Sequence, residues 1–299
     1  SGPRVTVDEA SGGPSGPRVT VDEASGGPSG PRVTVDEASG GPSGPRAVAV
    51  SDAVRLLTPG PTPVPEEVAR ELARPAFYHR SATYRQLLLR ATVGLQAVYR
   101  TRNPVLTLTS SGTGGMEAAL ASCLPPGARA LCLVSGRWGE RWRNIARALG
   151  IEALCVTSEP GDPVTPEQLA EALDRHPGVD AVCATLCETA TGVKNDIEAY
   201  GRIVAGTGAL LLVDAISGLG CVPCHTDAWG VDLCVAGSQK ALMLPPGLAF
   251  VSVSPKAWDR IDANPNRRAF YFDLRKYRAS LATGDSPFTP ATYLARALV

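Results

Sequence analysis

Val105-Leu106-Thr107-Leu108-Thr109-Ser110-Ser111-Gly112-Thr113-Gly114-Gly115-Met116-Glu117-Ala118-Ala119-Leu120 passes from an apolar, β-branched run through small residues into a strong helix former. Strand, small-residue turn and helix start in that order make the geometry that cradles a phosphate. Free backbone amides and the positive end of the helix dipole face the anion, and Ser/Thr hydroxyls add donors. The spacing fits neither the Walker A motif nor the dinucleotide G-x-G-x-x-G, so nucleotide binding is disfavoured. A plain tight turn would use the same residues, and this stretch alone leaves both readings open.

Outward from it, helix and strand signals alternate. Leu57-Thr58-Pro59-Gly60-Pro61-Thr62-Pro63-Val64-Pro65 is extended, because each proline restricts its predecessor as well as itself, and it ends in a helix start at Pro65-Glu66-Glu67. A helix is expected over about 81–100, with Leu88, Ala91, Leu95 and Val98 on one face. Downstream, strands are expected at 130–134, 152–156, 181–186, 209–213, 233–236 and 249–253, with helices over about 138–149 and 196–205 between them. Thr165-Pro166-Glu167-Gln168 opens a further helix with an N-cap, a proline at the first position and a capping-box Gln. Strands that alternate with helices and are apolar throughout imply an α/β fold whose parallel sheet is covered on both faces. Ligands of such sheets gather at the carboxyl ends of the strands.

Four such ends carry chemistry: the Ser111 turn, Cys187-Glu188-Thr189, Asp214 and Gln239-Lys240. Lys240 is one of only four lysines, with Lys194, Lys256 and Lys276, and lies between Gly237-Ser238-Gln239 and Ala241-Leu242-Met243-Leu244. Desolvation there would disfavour the ammonium and leave a nucleophilic amine; a snorkelling lysine at a strand end is the alternative. Asp214 follows Leu210-Leu211-Leu212-Val213, where an unpaired carboxylate would be costly, so it needs a cationic partner. A protonated pyridine nitrogen is one such partner, and an arginine is another. A Schiff-base lysine, a phosphate cradle and a carboxylate together meet the requirements of pyridoxal phosphate.

Composition narrows the classes. The chain has 299 residues, 44% hydrophobic and 19% charged, with 29 basic and 29 acidic side chains and no basic block. Nucleic-acid and membrane-surface partners need clustered positive charge and are disfavoured. The longest apolar runs are too short to span a bilayer and no secretory signal is visible, which points to a cytoplasmic protein. Eight cysteines, mostly inside apolar runs, read as buried free thiols of a reducing compartment. The pair Cys221-Val222-Pro223-Cys224 has no second pair for a zinc site, so a structural role is expected and no metal. Residues 1–42 are three identical copies of Ser-Gly-Pro-Arg-Val-Thr-Val-Asp-Glu-Ala-Ser-Gly-Gly-Pro, and a fourth begins at Ser43. Two valines per 14-residue copy bury too little to offset ordering, so residues 1–50 are expected to be a disordered tail.

Taken together, the motifs resemble those of the class V pyridoxal-phosphate enzymes, most closely the alanine-glyoxylate / serine-pyruvate aminotransferase group. The resemblance runs from about Leu56 to Val299 and rests on Thr58-Pro59-Gly60-Pro61, Ser111-Gly112-Thr113-Gly114, Gly136-Arg137-Trp138-Gly139-Glu140-Arg141, Glu188-Thr189-Ala190-Thr191-Gly192, Leu212-Val213-Asp214-Ala215 and Gly237-Ser238-Gln239-Lys240. It implies an aspartate-aminotransferase-like (fold type I) three-layer domain with a mostly parallel sheet over 51–280, and the start of a C-terminal region over 281–299. It also implies that Lys240 forms the Schiff base and moves the proton, that Asp214 keeps the pyridine nitrogen protonated, and that Trp138 stacks on the ring. Thr189 would bond the ring hydroxyl, and Ser111, Gly112, Thr113 and Gln239 would hold the phosphate. Thr289 would reach the phosphate of a neighbouring subunit, which implies a homodimer. The implied substrates are a small amino acid, alanine or serine, and a 2-oxo acid, glyoxylate or pyruvate. Members of this group continue into a small C-terminal domain whose arginine clamps the substrate carboxylate. This sequence ends at Val299, so the small domain is expected to be largely absent and the clamp missing, with Arg80 the one local arginine to consider. A catalytically impaired, binding paralogue and a cysteine desulfurase using Cys221 or Cys224 are the competing functions.

Overall fold

The computed structural model describes residues 18–22, 32–36, 56–265 and 269–299. The chain divides into two units, Ser1–Val54 and Arg55–Val299. In the first, β1 (Arg18–Asp22) pairs antiparallel with β2 (Arg32–Asp36), inside the tail expected to be disordered. The register sets Arg18 against Asp36, Thr20 against Thr34 and Asp22 against Arg32. The rest of the expected disordered tail lies outside the described residues.

The second unit begins with α1 (Glu66–Ala73) and α2 (Ala82–Tyr99). There follow β3 (Val105–Thr109), α3 (Gly112–Cys123), β4 (Arg129–Val134), α4 (Arg137–Ala148), β5 (Glu152–Thr157), α5 (Pro166–Arg175) and β6 (Ala181–Thr185). A small hairpin of β7 (Cys187–Glu188) and β8 (Val193–Lys194) leads to α6 (Ile197–Ala205), β9 (Leu210–Asp214), β10 (Leu233–Gly237) and β11 (Leu248–Val253). The described chain closes with α7 (Pro255–Ala263), α8 (Leu274–Leu281) and α9 (Thr292–Ala297). Seven strands form one sheet in the order β3-β11-β10-β9-β6-β4-β5.

All neighbours in that sheet run parallel except those of β11, which is antiparallel to both β10 and β3. The reason is the length of chain available. Residues 238–247 join β10 to β11, and a parallel crossover needs a dozen or more residues, so the chain must turn straight back. That short return carries Lys240.

β6, β9, β10 and β11 are buried along their whole length. One face packs Met116, Leu120, Trp142, Ala257 and Ile261; the other packs Tyr99, Leu169, Tyr200 and Val204. Leu210, Leu211, Leu212 and Val213 show no exposed surface, and burying each side chain contributes about 1.5–3 kcal/mol. The helix starts follow their local chemistry. Thr165 accepts from the Gln168 amide while the Gln168 side chain accepts from the Thr165 amide, which is the expected capping box.

Three expectations need correction. The buried stripe of α2 is Tyr84, Leu88, Ala91, Thr92, Leu95 and Tyr99, whereas Val98 is 38% exposed. Tyr99 takes the last position of the stripe because its hydroxyl donates to the Phe250 carbonyl at 3.0 Å. Second, α3 starts at Gly112, not at Met116. Its glycines permit close packing: a Cβ on Gly115 would meet Val235 Cγ1 at 2.7 Å, and one on Gly114 would meet Phe272 Cζ at 2.8 Å. Third, α7 and α8 were not anticipated, although Ser254-Pro255 carries a start signal: Ser254 caps the helix through the Ala257 amide and Pro255 opens it. No helix among the described residues is long and apolar enough to cross a membrane.

Candidate active site

Eight of the nine residues singled out from sequence line one cavity of about 390 Å³: Ser111, Gly112, Thr113, Trp138, Thr189, Asp214, Gln239 and Lys240. They come from the carboxyl ends of β3, β4, β6, β9 and β10. Thr289 lies elsewhere, beside Thr107, Thr109, Tyr271 and Phe288.

The β3 end is neutral and rich in donors. Ser111 is the N-cap of α3, yet its hydroxyl makes no capping hydrogen bond and its side chain stays exposed to the cavity. Gly112 and Thr113 follow as the first helical residues, whose amides have no intrahelical partner. The Gln239 side-chain oxygen is buried without a hydrogen-bond partner. An acceptor-rich anion at this end would meet a helix N-terminus, two hydroxyls and an amide side chain.

Trp138 is half-buried in the first turn of α4. Its backbone amide donates to Glu188 Oε2 at 2.9 Å, and Glu188 itself has no exposed surface. Gly136 makes this approach possible, since a Cβ there would strike Glu188 Cγ at 2.6 Å. The Arg141 guanidinium stacks over the indole, 4.4 Å from the centroid, and donates to the Thr113 hydroxyl at 2.6 Å.

Asp214 is 3% exposed at the end of β9, and its Oδ1 accepts the Ile216 amide at 2.8 Å. Burial pushes its carboxyl up to about 7; the Ile216 amide pulls the other way, Glu188 adds to the rise, and Arg141 and Lys240 offset it. Lys240 is 9% exposed. Burial lowers its amine below the usual lysine range, against the opposing pull of Asp214 and Cys187. Both groups are therefore nearer to neutrality than in water. The Thr189 hydroxyl is paired with that of Ser217 at 2.6 Å.

Several residues that line the cavity were not read as site residues from sequence: Gly60, Pro61, Arg141, Ile216, Ser217 and Pro246. Arg141 was within reach, since it closes the Gly136-to-Arg141 motif and recurs three residues after Trp138, on the same helical face. Ile216 and Ser217 follow Asp214 in sequence but have no chemical signature. Arg80 pairs with Asp285 at 2.7 Å, donates to the Ser286 carbonyl and does not line the cavity. The cysteines are free thiols, but Cys155 and Cys221 are exposed and Cys187 is half-buried, which differs from the expected general burial. Cys155 lies on β5, the terminal strand of the sheet, where one side has no covering strand. Cys224 is buried 4.0 Å from Cys234, away from the cavity. Among the described residues no group of three or more His, Cys, Asp or Glu side chains is arranged to hold a metal ion.

The sequence pattern of the family described as Aminotransferase class-V matches residues 57–265. The chain is 42% identical over 252 residues to a soluble hydrogenase small subunit of a Synechococcus species, covering 83% of this chain and 65% of that protein. It is 38% identical to L-aspartate–glyoxylate aminotransferase of Paracoccus denitrificans, covering 81% and 62%. Among solved structures, alanine–glyoxylate aminotransferase of a Nostoc species superposes with a TM-score of 0.79 at 29% identity, covering 82% of this chain and 65% of that one. The chain thus spans a little under two thirds of the length of these relatives.

The class-V aminotransferases are pyridoxal-phosphate enzymes, and the residues present fit that group. The uncommitted Ser111 hydroxyl and the first amides of α3 sit at the anion-binding end. The Asp214 carboxyl is buried at the end of β9 with its Oδ1 bonded to the Ile216 amide, and it lines the same cavity, where it can take a ring N–H. Lys240 offers its amine to the same space.

Proposed function

Because this chain belongs to the class-V aminotransferase family, we propose that it transfers the amino group of a small amino acid, alanine or serine, to a 2-oxo acid, glyoxylate or pyruvate. With glyoxylate as acceptor the product is glycine. The observation that carries the proposal is one cavity holding a desolvated amine, Lys240, a buried carboxyl, Asp214, and a neutral anion cradle at Ser111 to Thr113. Bound there, pyridoxal phosphate would supply a carbonyl for the amino group and a sink for the electrons left when the α-proton departs.

The protein's own groups divide the remaining work. Ser111, Gly112, Thr113 and Gln239 anchor the phosphate, and Arg141 brings the one guanidinium to that wall of the cavity. Asp214, a buried carboxyl at the end of β9, would hold the ring nitrogen of pyridoxal phosphate in its protonated form. Trp138 and Ile216 line the cavity where the ring would lie, and Thr189, paired with Ser217, would be the hydroxyl that bonds its ring hydroxyl. Lys240, with its proton affinity reduced by burial, would be the base that accepts a proton from the substrate α-carbon. In this reading residues 51–280 form the cofactor-binding domain of a cytoplasmic enzyme, and Thr289 serves the site of a second copy in a homodimer.

The hydrogenase name belongs to the cyanobacterial relative; the amine, carboxyl and cradle described above are the chemistry of amino-group transfer. The test is spectroscopic. The chain reconstituted with pyridoxal phosphate should absorb in the visible range, lose that band on adding alanine, and release pyruvate. Absence of visible absorbance, or its persistence in Lys240→Ala, overturns the proposal. Absorbance without pyruvate release would instead favour a binding paralogue.

A further inference from the structure

We propose that the segment Thr58-Pro59-Gly60-Pro61-Thr62 is a strap that positions Lys240 and keeps water from its side chain, with Thr62 as the positioning residue. This inference deepens the function above, because it rests on Lys240 being the reactive amine.

Thr62 holds two consecutive carbonyls of the lysine loop. Its backbone amide donates to the Gln239 carbonyl at 3.1 Å, and its hydroxyl donates to the Lys240 carbonyl at 2.9 Å. The Lys240 carbonyl also accepts the Met243 amide at 2.9 Å, so the strap and the loop's own turn meet on one oxygen. These two bonds join segments 178 residues apart. The strap is closed on itself by the Thr58 hydroxyl, which donates to the Pro61 carbonyl at 3.0 Å.

Gly60 then lies against the lysine stem. A Cβ on Gly60 would stand 2.4 Å from Lys240 Cδ and 2.9 Å from Cε, so only glycine leaves room for the stem in its present path. Gly60 and Pro61 both form part of the cavity wall. Proline has no amide hydrogen to offer, and glycine has no side chain, so this wall presents little for water to bind beside the amine. The strap carries no titratable side chain. The charged or titratable groups that face the amine come from elsewhere: Asp214 after β9, Cys187 on β7, and Arg141 on α4 across the cavity. Asp214 favours the ammonium, so an amine that is nonetheless easier to deprotonate owes this to its packing, to which the strap contributes from outside the loop through Gly60.

The experiment is competitive acylation of the full cofactor-free chain across pH, read lysine by lysine by peptide mass spectrometry, with Lys194, Lys256 and Lys276 as internal references. In Thr62→Val the midpoint for Lys240 should rise, and its acylation at pH 8 should slow by about three- to tenfold as the stem becomes hydrated. Thr62→Ser, which keeps the hydroxyl, should follow the wild type. Should Thr62→Val not fold, Gly60→Ala takes its place. Its methyl would press on the lysine stem and the Gln239 carbonyl at a backbone φ of +151° that disfavours a side chain, so the strap loosens from the loop and the Lys240 midpoint should move in the same direction, with the three reference lysines unchanged. An unchanged Lys240 profile in the folded valine or alanine variant, or a serine variant that behaves like valine, overturns the strap. Failure of the functional reading looks different: wild-type chain with pyridoxal phosphate would show no Lys240-dependent visible absorbance, whatever the acylation profiles do.

Discussion

The two ends of the cavity are built by different means. At the cradle end, Gly114 and Gly115 sit in the first turn of α3 with Phe272, Val235 and Ala249 pressed against the space their missing side chains would fill. At the lysine end, the return from β10 to β11 is pinned by single hydrogen bonds. Ser238 accepts the Leu248 amide at 3.1 Å and donates to the Pro245 carbonyl at 2.7 Å, while Thr62 reaches in from outside. The cradle is therefore part of the core, and the lysine loop is fastened onto it. Damage at the first end should appear as lost stability, and damage at the second as lost chemistry in a folded protein.

The largest effect should fall on the lysine end without touching the fold. Lys240→Ala should abolish visible absorbance with pyridoxal phosphate and lower transamination by at least about a thousandfold, with the urea midpoint close to wild type. A large drop in that midpoint would break the comparison.

Asp214, between the two ends, should write its burial into the pH dependence of stability. Its carboxyl lies at about 7 in the folded chain against 3.8 for a free side chain, so the folded state holds the extra proton between those values. The stability this provides is present below about pH 4 and lost as pH rises through about 7, a change of about 4 kcal/mol. Urea titrations of the cofactor-free chain at pH 5 and pH 8 should show a smaller loss for Asp214→Asn than for wild type.

Gly115→Ala tests the cradle as core. Its Cβ would lie 2.7 Å from Val235 Cγ1 and 3.2 Å from Ala249 Cβ, and overpacking of this kind costs about 1–3 kcal/mol. Chemical denaturation measures it, and a neutral result would mean that the cradle is no more rigid than the loop.

Arg141→Met keeps the length of the side chain and removes the charge over Trp138 and the bond to Thr113. Pyridoxal phosphate should bind about tenfold more weakly by fluorescence titration, as expected for losing one charge-assisted hydrogen bond. The smallest effect belongs to the outer side of the lysine loop. Met243 is 45% exposed, and Met243→Ala should change stability by no more than about 0.5 kcal/mol.

Legibility from sequence followed the range of the interactions. Thr165 and Gln168 announce their helix because the capping bonds span three residues. Asp214 announces itself by following an apolar run, and Lys240 by its rarity among the basic residues. The antiparallel course of β11 depends on a comparison of loop length with crossover length, which reading strand by strand does not make. Val98 was assigned to the buried face because helical spacing gives a stripe but not its edge; the hydroxyl bond of Tyr99 to Phe250 sets that edge from 151 residues away. The same holds for Arg80, whose partner Asp285 is distant in sequence. Gly60-Pro61-Thr62 was legible as stiff and extended, but nothing local says that it lies across Lys240.

The antiparallel placement of β11 also governs the order in which the protein can assemble. Among the described residues β3 has β11 as its one neighbour in the sheet, with Thr109 opposite Leu248. On a ribosome adding about 5–20 residues per second, the strand that leads into the cradle therefore waits roughly 7–30 seconds for its partner to be synthesised. Throughout that interval neither edge of β3 has its sheet partner, and the strand is open to mispairing.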